Sequence, residues 1–237
     1  MVEKKADINK LDLQKRSALS YAILQGSVEC AKFLVEAKSS LSQKDKNEQN
    51  AVHLVAQMGQ VEVLETMLSV MNSLDLNVSD GQGYSALHLA IYHKKKECVQ
   101  MLLSLAEKQP GSVKLAKSSQ DGTTPLQIAS FLGDVLTVER LLLSNEAKVD
   151  QVDNRGLTAL HYASLSNSLP CVELLLRHGA LAKSTSVNGE LPVDLTSDEN
   201  IKGVIHCPFF FNQASQKSHL KSCFWRRLMS TVMTRQT

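Results

Sequence analysis

Thr158-Ala159-Leu160-His161-Tyr162-Ala163 recurs with small changes along most of the chain, and Ser85-Ala86-Leu87-His88-Leu89-Ala90 is its clearest second copy. Under these align Ser17-Ala18-Leu19-Ser20-Tyr21-Ala22, Asn50-Ala51-Val52-His53-Leu54-Val55 and Thr124-Pro125-Leu126-Gln127-Ile128-Ala129, with a weaker sixth copy in Leu191-Pro192-Val193-Asp194-Leu195-Thr196. The first positions, 17, 50, 85, 124, 158 and 191, stand 33, 35, 39, 34 and 33 residues apart. A period in the low thirties is the mark of stacked supersecondary units, so architecture and binding come before catalysis.

Nine residues after the first position lie Gly26, Gly59 and Gly133, where two helices can turn back on each other. An apolar run follows in each copy: Phe33-Leu34-Val35, Met67-Leu68, Met101-Leu102-Leu103, Leu141-Leu142-Leu143 and Leu174-Leu175-Leu176. Each unit therefore reads as a short helix, a turn, a second helix and a loop. The Ser or Thr at the start caps free backbone N–H groups, and Pro125 suits a first helical turn. One helix pair cannot bury its apolar face alone, whereas stacked neighbours join those faces into one core.

This pattern resembles the ankyrin repeat from about Ala6 to Ile205. Copy four carries Gly122-x-Thr124-Pro125-Leu126, and copy five carries Asp153-x-x-Gly156-x-Thr158-Ala159-Leu160-His161 and ends in His178-Gly179-Ala180. The resemblance implies an all-α solenoid of helix-turn-helix units with β-hairpin-like loops. It predicts a repeat domain over residues 1–205, with a partial first hairpin and a cap-like last unit, and a tail over 206–237. Departures concern turns: Lys94 and Asn167 replace the inter-helix Gly in copies three and five, Lys15 and Glu48 replace the hairpin Gly in copies one and two, and Gln127 replaces His in copy four. They put local turn geometry in question and leave the fold intact.

The chain has 237 residues, a net charge of +2 and 43% hydrophobic residues, so no global field points to nucleic acid. No apolar stretch approaches the roughly 20 residues of a membrane span, and Met1-Val2-Glu3-Lys4-Lys5 leads into no signal-peptide core. The expected location is cytoplasmic or nuclear. Cys30, Cys98 and Cys171 each fall thirteen residues into their copy, on equivalent spots of the second helix. Neighbouring helices pack about 8–10 Å apart, beyond the roughly 7 Å a disulfide tolerates, so all three are expected to be unbridged, buried or half-buried packing residues. Cys207 and Cys223 lie outside the repeats, with nothing beside them that argues for redox chemistry or lipidation.

His53, His88 and His161 occupy the fourth position of the motif, where the family resemblance implies a hydrogen bond along the stack. They are a repeat apart, too far to share a metal. Cys-x-x-Cys, His-Glu-x-x-His, a Gly-rich phosphate loop and Gly-x-Ser-x-Gly are all missing, so the sequence implies no enzyme, cofactor or metal.

Ala6-Asp7-Ile8-Asn9 reads as the end of a hairpin, which suggests a chain that starts mid-repeat, as a fragment or short isoform would. After Ile205 the periodicity stops, and Pro208-Phe209-Phe210-Phe211 leads into a basic stretch through Trp225-Arg226-Arg227. Leu220 and Cys223 stand three apart, not the four of a SOCS box, and no proline-bearing second half follows. A basic, aromatic tail suits an anionic membrane surface; a poorly ordered tail or one loosely helical segment is the plainer expectation. Between copies three and four the six extra residues extend the second helix over Leu103–Glu107 or project a loop, the longer helix being preferred.

Binding is what remains. The family's contact positions, projected onto this chain, place Leu24 and Gln25, Gln57 and Met58, Tyr92 and His93, Phe131 and Leu132, and Leu165 and Ser166 on a concave face. Arg16, Gln49, Tyr84, Thr123, Arg155 and Leu157 fall on the hairpin edges. The expected partner-binding residues are Met58, Tyr84, Tyr92, His93, Phe131, Leu132, Arg155 and Leu165, facing a helix or extended segment of another protein. The expected role is a non-catalytic scaffold or adaptor. The alternatives are a regulator like the inhibitor of NF-kappaB, masking a transcription factor, or a recruiting subunit of a ubiquitin ligase or phosphatase. The first of these is weakened by the lack of an acidic-serine degradation motif before copy one.

Overall fold

The computed structural model describes residues 7–70, 74–144 and 146–206. Five helix pairs follow one another. The first helices are α1 (Ala18–Leu24), α3 (Ala51–Met58), α5 (Ala86–Tyr92), α7 (Pro125–Leu132) and α9 (Ala159–Leu165). The second helices are α2 (Val28–Glu36), α4 (Val61–Val70), α6 (Lys96–Lys108), α8 (Val135–Leu143) and α10 (Leu169–Arg177). A 3-10 turn (Pro192–Leu195) and α11 (Glu199–His206) complete the described chain, and no strand occurs among the described residues. The first helices pack in one row and the second helices in another, each against its sequence neighbours. This is an all-α repeat solenoid.

Helices of seven to ten residues are too short to persist alone, so packing and caps hold them. Ser17, Asn50 and Thr124 side chains each accept the N–H three residues on, at 3.2, 3.2 and 3.3 Å. The apolar positions merge into one continuous core, in which Leu19, Leu87, Leu126 and Leu160 at the third motif position and Met67, Leu102, Leu141 and Leu175 on the second helices are fully buried. At about 1.5–3 kcal/mol per buried large side chain, this row outweighs any single cap.

The substituted turns keep the geometry of the glycines they replace. Lys15, Glu48, Lys94 and Asn167 have φ of 59°, 58°, 56° and 51°, in the left-handed region, as does Lys38 at 62°. Stacking overrides the preference of an L side chain, at a cost of about 1–2 kcal/mol for each residue. Glycine is needed where hairpins cross: a Cβ on Gly83 (φ +82°) would sit 2.5 Å from the Gln120 backbone nitrogen.

Each hairpin is tied internally by one side chain. The Asp45, Asp80 and Asp153 carboxylates accept the backbone N–H groups two and four residues on, all at 2.8–2.9 Å. Ser186 Oγ takes the same role in the sixth unit. Single backbone bonds join successive tips: Gly81 N–H to Asn47 O, Gln120 N–H to Gln82 O, Asn154 N–H to Asp121 O and Val187 N–H to Arg155 O, at 2.9–3.0 Å.

The insertion after copy three extends α6 to 13 residues, a turn longer than its equivalents. Cys98 and Cys171 are buried and unbridged, and burial pushes the Cys98 thiol up to about 11. Cys30 is exposed, against expectation. Its helix face is the one that turns toward the preceding unit in later repeats: Arg140, three residues beyond the Cys-equivalent position of α8, reaches back to Gln100 O, Ser104 and Glu107 on α6. On α2 no described residue covers that face, and Phe33 is 68% exposed. Residues 207–237, with Cys207 and Cys223, lie outside the described residues, as do residues 1–6.

Candidate functional site

The first helices end on one side of the molecule, and each last turn carries one or two side chains that the core does not use. Tyr92 (63% exposed), Phe131 (51%), Leu165 (41%) and Met58 (36%) are the large apolar residues of this row, one in each of four successive repeats. Tyr92 lies edge-on to the exposed His93, with ring centroids 5.2 Å apart. Phe131 lies edge-on to Tyr162 of the next repeat at 6.1 Å, so the row is continuous between copies four and five. Leu132 is half-buried against the core, and Tyr84 is also half-buried, its ring 5.6 Å from that of His88. Both border the row and belong partly to the framework.

Arg155 stands on the fifth hairpin tip with its side chain largely exposed, yet it is engaged. Its Nε is 3.3 Å from the buried Asp153 carboxylate, and its guanidinium donates to the Tyr162 hydroxyl at 2.5 Å. The same hydroxyl donates to Asp153 at 2.8 Å. Burial, followed by that bond to Asp153, pushes the Tyr162 phenol above its ordinary value. Asp12, Arg16 and Tyr21 form the same triad on the first repeat. Sequence reasoning missed these triads; the signal was an Asp five residues before, and a Tyr four residues after, the first motif position in these two copies.

The motif histidines are framework. His88 Nδ1 accepts the Ser85 N–H at 3.2 Å, and its Nε2 lies 3.3 Å from Thr123 O on the following hairpin. His161 does the same with Thr158 and Glu190 O, and His53 with Asn50, Val78 O and Tyr84 O. With Nδ1 accepting and Nε2 facing a carbonyl, His88 and His161 are neutral with the proton on Nε2. Burial depresses all three imidazoles, His88 to about 4. Gln127 reproduces both roles: its Oε1 accepts Thr124 N–H at 2.7 Å, and its Nε2 donates to Gln151 O and Leu157 O at 2.9 and 2.8 Å.

Among the described residues no group of three or more His, Cys, Asp or Glu side chains is arranged to hold a metal, and no helix is long and apolar enough to cross a membrane. A pocket of about 650 Å³ lies away from the row, between the end of α10 and α11, and is lined by Leu176, Leu181, Val193 and Ile205.

Stacked helix pairs with capped inner helices and projecting hairpins define an all-α repeat protein. The chain belongs to the ankyrin-repeat family, whose model matches residues 37–113 and 105–186. It is 30% identical over 163 residues to neurogenic locus notch homolog protein 1 of Mus musculus, covering 69% of this chain and 6% of that protein. It is 27% identical over 193 residues to the B-cell lymphoma 3 protein homolog of Mus musculus, covering 81% of this chain and 42% of that one. The chain thus spans a small part of these relatives' length. The crystal structure of the ankyrin repeat domain of Bcl-3, described as a unique member of the IkappaB protein family, aligns with TM-score 0.71 and 25% identity over 84% of this chain and 86% of that domain. The human ASB11 ankyrin repeat domain has the same fold, at TM-score 0.71 and 22% identity over 86% of this chain and 88% of that one. Ankyrin repeats are protein-interaction modules, in general without catalytic activity.

Proposed function

We propose that this chain is a non-catalytic scaffold or adaptor, cytoplasmic or nuclear, that holds a segment of a partner protein on the row formed by Met58, Tyr92, His93, Phe131 and Leu165, with Tyr84, Leu132 and Arg155 at its edges. The observation that carries this reading is the run of exposed large apolar side chains at one position in three successive repeats, Tyr92, Phe131 and Leu165, with Met58 one residue later in the repeat before them. Exposed apolar residues scattered singly need no explanation, whereas a contiguous row of them marks an interaction site. A stack held by caps, buried glutamine and histidine bonds and linked hairpins is preorganised, so little entropy is lost when a partner docks. The repeat domain extends to residue 205 in this reading, and residues 206–237 form a separate tail.

Affinity capture from cell lysate with the wild-type chain and a Tyr92→Ala/Phe131→Ala variant tests it. Partners lost by the variant alone are the expected result. Full retention of every partner would remove the row from consideration.

A second reading, a regulator that masks a transcription factor, is favoured by the likeness to the Bcl-3 ankyrin domain, a member of the IkappaB protein family. Purified NF-kappaB dimers on their DNA sites supply its test: release or supershift of the complex by this chain supports it, and indifference rejects it.

A further inference from the structure

The groove has a spacing and a charge, and together they specify an occupant. We propose that the segment it holds is an acidic amphipathic helix with an apolar residue every seventh position; this rests on the groove reading above and narrows it to one partner chemistry.

The spacing comes first. Packed helices in neighbouring repeats stand about 8–10 Å apart, and seven residues of α-helix advance about 10.5 Å. A helix laid along the stack therefore brings positions i, i+7 and i+14 over successive members of the row Met58, Tyr92, Phe131 and Leu165. An extended strand repeats a face about every 6.6 Å and falls out of step.

The charge comes second, and it is not visible in a net charge of +2. Beside the row three consecutive lysines stand at one turn, and the aspartates nearby are already bonded. His93, Lys94 and Lys96 are exposed at the α5–α6 turn, with Lys95 half-exposed between them. None of the three lysines makes an ion pair among the described residues. On the opposite flank Arg155 is exposed but already bonded to Asp153 and Tyr162. The aspartates nearby are spent: Asp80 and Asp153 are buried and bind their own hairpin N–H groups, and Asp134 caps α8 through Thr137 at 3.3 and 2.7 Å. Among the last two residues of the first helices and the turn residues that follow them, the one acid is Asp134, already engaged in that cap; the exposed Glu97 follows Lys96 at the start of α6. An apolar row with a run of three lysines along one flank matches a cylinder with an apolar seam and an acidic side, which is what an acidic amphipathic helix presents.

Three labelled peptides of about 21 residues, three seven-residue repeats, test the inference by fluorescence anisotropy against the full chain. One has a leucine seam and glutamates, the second the same seam and lysines, and the third is the glutamate peptide broken by two central prolines. The glutamate helix is expected to bind, to gain helical circular dichroism on binding, and to weaken at high salt. Lys94→Gln/Lys95→Gln/Lys96→Gln is expected to weaken it about tenfold, the sum of three exposed charge contacts, and Tyr92→Ala/Phe131→Ala to abolish it. Thermal unfolding of both variants verifies that the stack is intact. Equal or tighter binding of the lysine or proline peptide in a Tyr92- and Phe131-dependent manner overturns the acidic helix and leaves the groove standing. Binding by none of the three also overturns the acidic helix and leaves the groove to the capture experiment. Binding of the glutamate peptide that ignores Tyr92 and Phe131 overturns the groove itself, and the inference with it.

Discussion

His88 is buried, neutral and bonded at both nitrogens, and burial pulls its proton affinity down to about 4 from the 6.5 of an exposed imidazole. The charged groups that act on it are Lys117 and Asp80. Between those two values the unfolded chain binds more protons than the folded one, so stability is intact above about 6.5 and falls as the pH drops toward 4. His53 and His161 shift in the same direction and add to the slope. Because Gln127 already performs the same two tasks, His88→Gln should unfold within about 1 kcal/mol of wild type at neutral pH and show a shallower loss between pH 6.5 and 4.5. Denaturant titrations across that range measure both, and an unchanged slope would clear His88 of the effect. The structural role of these histidines was legible in the motif. The exposure of Cys30 was not, because a position within a repeat does not say whether a neighbour covers it. Arg155 shows a similar limit: the hairpin edge was readable, but its engagement with Asp153 and Tyr162 depends on side chains seven to nine residues apart meeting across the bend.

Turns and hairpins decide how the elements meet. Gly83→Ala places a methyl 2.5 Å from the Gln120 nitrogen in a left-handed residue, so a loss of about 2 kcal/mol or more is expected in thermal unfolding. Gly179→Ala, with φ +87° and nothing within 4 Å of the added carbon, should cost only about 1 kcal/mol. A similar loss for both would show that the hairpin crossing is looser than described. Lys94→Gly relieves the strain at φ 56° and should stabilise the chain by about 1 kcal/mol, read from the denaturation midpoint. Sequence reading located the Gly179 hairpin by its glycine and the Lys94 turn by the glycine it replaces, and the helix pairs followed from the apolar spacing. It did not show that Lys15, Glu48, Lys94 and Asn167 adopt the glycine conformation, since that outcome is imposed by the stack on both sides and local preference opposes it.

The whole molecule is a line of units in which each one touches only its neighbours. Stability in such an array is a sum of unit and interface terms. Leu126→Ala, in the buried centre of the fourth unit, should cost about 2–5 kcal/mol and split unfolding into two transitions, because the units on either side lose their bridge. Leu19→Ala in the first unit should instead loosen that unit alone, with amide exchange accelerated in α1 and α2 and unchanged from α7 onward. Exchange rates followed by residue separate the two results, and uniform acceleration would argue for a single cooperative block. The order of the units was legible from the period, and so was the face that carries the candidate site, through the family's contact positions. The identity of whatever occupies that face is written in no repeat, since framework residues serve the stack.

The insertion after copy three has a consequence for how such a chain can vary. Its extra residues lengthen α6, yet the Gln120 N–H still meets Gln82 O at 3.0 Å on the next hairpin. Chain length is therefore free on the outer row and locked at the tips. Additions can accumulate on the second helices while successive hairpin tips keep their backbone bond. A designer could graft a loop or a tag at Gln109 or Pro110, both exposed, but not at Val113 or Leu115 just beyond, which are buried in the core.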